Sequence, residues 1–250
     1  SAGGGVLADF MQGSDWTSQW DIANTAAWQV IDGVLTHAGS GTDSIVFRPS
    51  NDLADYGVII TVRLPQDTDG APIPPAGATG VDIGADLSVR WEPATGWRLT
   101  LAGTTHDLGA ARFANDWALF VPVDPASGTN SVHFYAGGRL LFAQTGGALV
   151  RGAASLVLTG TGVGVSALAM LRAPALSAVF LDGSGKERQQ QSFTGEGSIV
   201  SGSLYDPIGR AAIGVKPANA PGRGLAYDAD YVLSFDPTSG VMTGRAASAY

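Results

Sequence analysis

The chain has 250 residues, a formal net charge of −8 and no cysteine. This length allows one large β domain or a sandwich followed by a smaller unit, and the missing thiols exclude a disulfide framework, a cysteine zinc site and a cysteine nucleophile. The acidic charge argues against nucleic acid as a partner, because affinity for phosphates depends on clustered lysine and arginine.

With 35 glycines and 14% charged residues, the composition favours tightly turned β structure without long helices. No apolar run reaches the ~18 residues of a transmembrane helix. Residues 1–8 are predicted to be a flexible linker or tag remnant, because the chain opens on Ser1-Ala2-Gly3-Gly4-Gly5 and not on a signal peptide.

The strongest local signal is a β-hairpin over Trp28–Leu35. Asp32-Gly33 joins two apolar runs, and both residues tolerate the positive φ angles of a tight two-residue turn. Trp28 is expected to lie in the core.

Further strands follow at spacings of ~8 to 12 residues with turn signals between them, which is typical of a two-sheet sandwich. Gly57–Leu64 is rich in β-branched residues and is expected at the centre of a sheet. Gln66–Ala78 is rich in Pro, Gly and Asp and is predicted to be a surface loop. The other predicted strands are Val6–Met11, Ser44–Phe47, Val81–Trp91, Trp97–Leu101, Trp117–Val123, Ser131–Tyr135, Leu140–Gln144, Ser155–Thr159 and Val163–Leu171.

Three groups of residues carry a resemblance to a known fold family. They are Asp9-Phe10, the hairpin pattern Trp28-x-Val30-x-Asp32-Gly33-x-Leu35, and Asp55-Tyr56-Gly57-Val58 at the start of a strand. Together they resemble the beginning of a laminin G or concanavalin A-like jelly-roll domain. The resemblance implies an all-β fold, a two-sheet antiparallel jelly-roll sandwich over residues 9–172.

The composition changes after this region. The first 175 residues contain no lysine and 8 arginines against 15 acidic residues, whereas Ser177–Tyr250 is nearly balanced, with 6 basic against 7 acidic residues. We therefore predict a separate β segment over residues 173–250.

This segment contains the run Tyr205-Asp206-Pro207-Ile208-Gly209-Arg210. Pro207 presets φ for a turn, Gly209 tolerates positive φ, and Asp206 can cap backbone amides. The run resembles the turn of Rhs or YD-repeat sequence, and Asp182-Gly183-Ser184-Gly185-Lys186 resembles it more weakly. The resemblance implies a C-terminal β-hairpin region in which Tyr205, Asp206, Gly209 and Arg210 form the turn.

The hairpin around residues 92–96 supplies the candidate ligand-binding residues Arg90, Trp91, Trp97 and Arg98. If its five-residue loop places Trp91 opposite Trp97, then strand alternation places Val89 opposite Leu99 and Arg90 opposite Arg98 on the other face. Two alternatives stay open for the indoles, which are stacking on a sugar ring and burial between the sheets.

Facing arginines are unfavourable without a counter-charge. The same face should therefore supply a carboxylate, for which Glu92 and Asp86 are the candidates, or it should meet an acidic ligand.

No catalytic residue is predicted. Glycoside hydrolysis generally requires two carboxylates, but the first 175 residues contain one glutamate, Glu92, and the Glu-x-Asp-x-x-Glu motif of laminarinase-type jelly-roll enzymes is absent. Asp82 and Asp86 remain an alternative acid pair, because residues four apart on one strand share a face.

No metal site or other cofactor is predicted. His37, His106 and His133 lack ligand spacing, so core or surface polar roles are expected. Asp67-Thr68-Asp69-Gly70 begins like a calcium loop, but its glycine comes too early for the EF-hand pattern and no bidentate glutamate follows. Calcium held by loops distant in sequence stays open, as in some laminin G-like domains.

The two resemblances imply a non-catalytic, lectin-like binding or adhesion module of a larger secreted or cell-surface Rhs/YD-repeat protein. Its expected partners are a carbohydrate or a cell-surface protein and the rest of that polypeptide. Two alternatives are a structural cap of the YD-repeat shell without a free ligand, and a glycoside-processing hydrolase.

Overall fold

The computed structural model describes residues 6–9, 16–48, 55–109, 112–123, 127–172, 177–193, 197–205, 208, 210–221, 234–236 and 241–243. The chain divides into two compact units, Ser1–Pro174 and Ala175–Tyr250. Each unit is described by itself.

The first unit consists almost entirely of β-strands. In chain order its described strands are β1 (Val6–Asp9), β2 (Trp20–Ile22), β3 (Trp28–Ile31), β4 (Val34–His37), β5 (Thr42–Phe47), β6 (Tyr56–Arg63), β7 (Thr79–Ile83), β8 (Leu87–Glu92), β9 (Gly96–Leu101), β10 (Thr104–Asp107), β11 (Asp116–Val121), β12 (Asn130–Ala136), β13 (Arg139–Ala148), β14 (Ala154–Thr159) and β15 (Gly164–Arg172). Two short 3₁₀ helices, Trp16–Gln19 and Thr25–Ala27, precede β2 and β3.

Two antiparallel sheets form a sandwich of jelly-roll type. Sheet A has the strand order β13-β12-β11-β6-β15-β4-β3, with β1 also paired with β15, and sheet B has the order β10-β9-β8-β7-β14-β5-β2. The predicted all-β, two-sheet antiparallel fold is confirmed. The central place expected for Gly57–Leu64 is also confirmed, because β6 pairs with β11 on one side and β15 on the other.

The core lies between the sheets and is built from alternate residues of the strands. In β8 and β9 the inward positions are apolar and buried, whereas Arg90 and Arg98 point the other way. The largest fully buried side chains are Trp20, Trp97, Trp117, Tyr56, Phe47 and Phe134. Each such side chain contributes roughly 1.5–3 kcal/mol through burial, so the alternation of the sequence determines which face of each sheet turns inward.

The hairpin at Asp32-Gly33 forms as predicted. Its strands β3 and β4 pair from Trp28 opposite His37 to Ile31 opposite Val34, and Asp32 and Gly33 adopt φ angles of 51° and 75°. Trp28 lies in the core with 5% of its surface exposed, which confirms the expectation for this residue.

The single strand predicted over Val81–Trp91 is wrong. Residues 84–86 form a turn, with Gly84 at a φ of 54°, and the chain reverses from β7 into β8. Asp82 and Asp86 therefore do not share the face of one strand. Asp82 lies inside sheet B, since β7 has β8 on one side and β14 on the other.

Sequence reasoning missed two edge strands. The first is β2, for which no strand was predicted. The second is β10, which follows a tight turn at Ala102-Gly103 with φ angles of 48° and 81°. Both strands are short and lack an apolar run, so their pairing with the neighbouring strand decides their conformation.

The second unit contains a four-stranded antiparallel sheet and a separate strand pair. The sheet has the order β16 (Ser177–Leu181), β17 (Glu187–Phe193), β18 (Gly197–Tyr205), β19 (Ala211–Pro221), and the pair is β20 (Ser234–Asp236) with β21 (Val241–Thr243).

The turn between β16 and β17 is organised by Asp182. Its carboxylate accepts hydrogen bonds from the hydroxyl and amide of Ser184 and the amide of Lys186, and it pairs with Arg188. The bond from the Ser184 hydroxyl is the largest cause that lowers the pKa of Asp182, which falls to about 2.

Tyr205, the last residue of β18, lies opposite Ala211, the first residue of β19, and the turn was predicted for the chain between these strands. The Tyr205 ring has the Lys186 ammonium 5.4 Å and the Arg188 guanidinium 5.5 Å from its centroid. Asp206 and Gly209 lie outside the described residues. The resemblance to YD-repeat sequence stays a prediction.

Candidate functional site: a cleft at one end of sheet A

The hairpin of β8 and β9 has the predicted register. Trp91 pairs with Trp97, Arg90 with Arg98, and Val89 with Leu99. The alternation of side chains across these strands therefore follows the sequence-based expectation, and it separates the two indoles from the two arginines.

The two indoles pack inside the sandwich. Trp97 has 0% and Trp91 has 6% of its surface exposed. The Trp97 ring centroid lies 5.0 Å from Phe134 and 5.4 Å from Trp117, and the Trp91 centroid lies 5.2 Å from Phe113. Of the two alternatives from the sequence, burial matches this packing, and neither indole presents a free ring face to a sugar.

The expected carboxylate partner is present for Arg90 and comes from a residue other than the two named. Arg90 forms an ion pair with Asp82 of β7, and not with Glu92 or Asp86. Arg90 lies opposite Gly80 in the register, and this glycine has no side chain to block its path to Asp82. A ligand-binding role for Arg90, Arg98 and the two tryptophans stays a prediction.

A cleft of about 610 Å³ lies on sheet A across β4, β15 and β6. The Asp32-Gly33 turn bounds it on one side, and the chain after β6 bounds it on the other. Its lining residues are Ile31, Asp32, Val34, Thr36, Val62, Arg63, Leu64, Pro65, Gln66, Pro72, Asn115, Gly162 and Ser166.

Close backbone packing forms the floor of the cleft. Gly164, the first residue of β15, lies against Val34 of β4, and a Cβ atom at Gly164 would be 2.6 Å from Cγ1 of Val34. Because glycine is needed for this approach, the floor is fixed by backbone atoms and by buried apolar side chains.

One wall of the cleft is the loop that follows β6. Its ends are joined by a bridge between Gln66 and Pro72, and the amide of Ile73 donates to the carbonyl of Pro65 at 2.8 Å. Asp67 Oδ1 accepts the amides of Asp69 and Ala71 at 2.9 and 2.8 Å. Asp67 begins the sequence that resembled a calcium loop, and its carboxylate therefore binds backbone amides of its own loop.

A buried histidine fixes the backbone next to this loop. His37 is 0% exposed. Its Nδ1 lies 3.0 Å from the carbonyl oxygen of Gly160, and its Nε2 lies 2.8 Å from Oδ2 of Asp43. The amide of Gly162, which lines the cleft, donates to the carbonyl of His37 at 2.8 Å. The hydrogen bonds from His37 and then from Asn24 lower the pKa of Asp43.

The side chains of Asp32, Arg63, Gln66 and Asn115 are exposed at the cleft. They have no hydrogen bond or ion pair with another described residue, although the backbone of Asn115 is fixed by a bond from the Val62 amide to its carbonyl at 2.7 Å. The cleft thus combines a carboxylate, a guanidinium and two carboxamides beside an apolar floor. Only the Asp-Gly turn was singled out in the sequence, and no motif joins these four positions.

Among the described residues, no group of three or more His, Asp or Glu side chains is arranged to hold a metal ion. The three histidines lie in different surroundings. His37 is bonded as above, His133 is buried, and the His106 ring lies 4.9 Å from the ring of Phe142. No described helix is long and apolar enough to cross a bilayer.

Comparisons with known proteins give fold-level likenesses. No family model matches the chain, and no curated protein matches it. The potassium-bound Emp46p carbohydrate recognition domain has 13% identity and a TM-score of 0.44, and the match covers 67% of this chain and 96% of that one. The carbohydrate-binding module CBM66 from Bacillus subtilis has 12% identity and a TM-score of 0.37, with 62% and 92% covered.

A protein of a glycoside hydrolase family is also among the similar structures. A point mutant of the GH43 protein BlXynB from Bacillus licheniformis has 11% identity and a TM-score of 0.40, with 66% of this chain and 38% of that chain covered. At these identities and TM-scores the likenesses carry no argument about a ligand or an activity, so the functional argument rests on the cleft.

Proposed function

We propose that the first unit is a non-catalytic glycan-binding module and that its ligand lies in the cleft of sheet A. One observation carries the proposal. The exposed side chains of Asp32, Arg63, Gln66 and Asn115 stand unpaired, among the described residues, around a cleft of about 610 Å³. This volume falls within the roughly 300–1,000 Å³ of small-molecule sites.

The chemistry of these side chains matches a sugar. A sugar ring presents hydroxyl groups that both donate and accept hydrogen bonds, together with faces of C–H groups. A carboxylate accepts, a guanidinium donates, and a carboxamide does both, while Ile31, Pro65 and Pro72 supply apolar contact.

The same site gives no support to hydrolysis. Glycoside hydrolysis generally needs two carboxylates, and Asp32 is the one carboxylate among the described residues that line the cleft. Asp82, a member of the acid pair considered from the sequence, is paired with Arg90 in sheet B.

The proposal is tested by screening the intact chain on a glycan array and then titrating the best ligand by calorimetry. Asn115→Ala and Gln66→Ala should each weaken binding by about 3- to 10-fold, as expected for the loss of a hydrogen bond between uncharged groups. Thr105→Ala, on the exposed edge strand β10 of the other sheet, is the matched control and should bind like the native chain.

Two results would contradict the proposal. The first is the absence of saturable binding to any glycan. The second is a loss of binding in Arg98→Gln with none in the two cleft variants, which would move the site to the β8–β9 hairpin.

The kind of larger protein to which this module belongs is proposed from the sequence resemblance. The strand, turn and returning strand of β18 and β19 support a module that belongs to a larger secreted or cell-surface YD-repeat polypeptide. Recovery of the module within a longer secreted chain of that type, from the native source, would test this context.

A further inference from the structure

Arg63 is the one cation among the described residues that line the cleft. It is the last residue of β6, its side chain is exposed, and its guanidinium makes no hydrogen bond or ion pair with another described residue. Opposite it in the register of β15 lies Gly164. Because Gly164 has no side chain, nothing on that strand covers the guanidinium.

The carboxylates around Arg63 are held elsewhere or lie at a distance. Asp116 of β11 accepts a hydrogen bond from the Thr61 hydroxyl at 3.1 Å. Asp32 lies beyond the ends of β3 and β4. Since β4 and β6 are both neighbours of β15, they lie two strand spacings apart, or about 10 Å. Thr36 is level with Arg63 in the register, and Asp32, four residues before Thr36, lies farther from Arg63 than this spacing.

Two guanidiniums of the same unit are paired, Arg48 with Asp21 and Arg90 with Asp82. Arg63 has no ion pair with another described residue, as is also true of Arg98 and Arg139, but of these three only Arg63 lines the cleft. The carboxylate partner that Arg63 lacks within the described protein is therefore a group that a ligand can supply.

We infer that the glycan bound in the cleft carries a sugar carboxylate, which Arg63 holds, while Asp32 binds hydroxyl groups on the far side. The inference rests on the proposed function and adds the chemical class of the ligand. A guanidinium presents two parallel N–H donors that match the two oxygens of a carboxylate. Asn115 lies beside β6, on the same side as Arg63, and the spacing of about 10 Å between β6 and β4 leaves room for a sugar residue between Arg63 and Asp32.

The charge of the protein limits how acidic the ligand is. The chain has a net charge of −8, and Asp32 stands in the cleft itself, so a densely charged polyanion is repelled where a single carboxylate is not. The inferred ligand is an oligosaccharide with isolated uronic acid residues and not a heavily sulfated polymer.

The test uses the intact chain and calorimetric titration with three trisaccharides: one with a single galacturonic acid residue and two neutral residues, its methyl ester, and a sulfated trisaccharide that has no carboxylate. The free acid should bind about 10- to 100-fold more tightly than the ester, the range expected for a hydrogen bond to a charged group. Arg63→Gln should remove this preference by weakening the binding of the free acid much more than the binding of the ester, and Arg63→Lys should restore part of the preference. Arg139→Gln, an exposed arginine of sheet A outside the cleft, is the control and should behave like the native chain.

The outcomes separate the inference from the proposed function. Equal affinity for acid and ester, or an equal loss for both in Arg63→Gln, overturns the carboxylate assignment while the glycan site stands. Tighter binding of the sulfated sugar than of the free acid overturns it also. If no sugar binds at all, both the inference and the glycan proposal fail. Circular dichroism confirms that each variant is folded, which is expected because the side chain of Arg63 is exposed.

Discussion

At the scale of single residues, burial decides the protonation state of a titratable side chain in the folded protein. His133 of β12 is 0% exposed, and burial lowers its pKa to about 4 from the ordinary value of 6.5. The folded state therefore keeps this imidazole neutral at a pH where the unfolded chain already binds a proton.

This shift predicts a fall in stability at acidic pH. Between pH 6.5 and about 4 the unfolded state binds one proton more than the folded state, so the free energy of unfolding decreases as the pH falls. A difference of about 2.5 pKa units corresponds to about 3 kcal/mol. Urea unfolding at pH 7 and pH 4 measures this change, and His133→Gln should reduce the difference between the two pH values by most of that amount. A variant that keeps the full difference would show that other groups cause it.

Burial also decides the role of the two tryptophans of the β8–β9 hairpin. The register of Trp91 and Trp97 followed from the turn length, but the sequence left open whether their face met a ligand or the other sheet. Contacts of Trp97 with Trp117 and Phe134 of sheet A answer this, and both come from strands that lie far from Trp97 in the chain.

At the scale of elements, close strand packing makes some glycines irreplaceable. Gly80 of β7 lies against β8, and a Cβ atom there would be 1.9 Å from the carbonyl oxygen of Val89. This contact is with backbone, which cannot rotate away as a side chain can, so a larger residue forces the two strands apart.

Gly80→Ala should therefore destabilise the protein by about 3 kcal/mol, the upper range for overpacking in a core. Gly41→Ala is the matched control, because a Cβ atom at Gly41 meets nothing within 4 Å and its backbone is not in the left-handed region; it should change stability by about 0.5 kcal/mol or less. Chemical unfolding of both variants measures the difference. Equal free energies of unfolding for the two variants would mean that β7 and β8 can move apart with little loss of stability.

At the scale of the whole molecule, the first unit contains everything that the cleft requires. Its described lining residues lie between Ile31 and Ser166, and the main hydrophobic core runs from Trp20 to Met170. A unit with its own core is expected to fold independently.

Residues 1–174 alone should therefore fold cooperatively and bind the glycan ligand within about twofold of the affinity of the intact chain. Thermal unfolding and calorimetric titration of this fragment, compared with the full chain, measure both properties. A folded fragment that no longer binds would mean that residues 175–250 contribute to the site, and an unfolded fragment would contradict the independence of its core.

The sequence by itself determined the β class, the hairpins at Asp32-Gly33 and residues 92–96, the register of Trp91 with Trp97 and the central place of β6. These features depend on turn chemistry and side-chain alternation, which act between residues that are close in the chain. Residues 84–86 lacked a strong hairpin dipeptide, so the reversal from β7 to β8 was missed.

Only the tertiary structure decided the partner of Arg90 and the place of the cleft. Asp32 lies in the turn between β3 and β4, Arg63 is the last residue of β6, and Asn115 precedes β11; they line one cleft because β11, β6, β15, β4 and β3 are consecutive neighbours in sheet A. That order follows from the collective burial of two sheets against each other, and local sequence does not encode it.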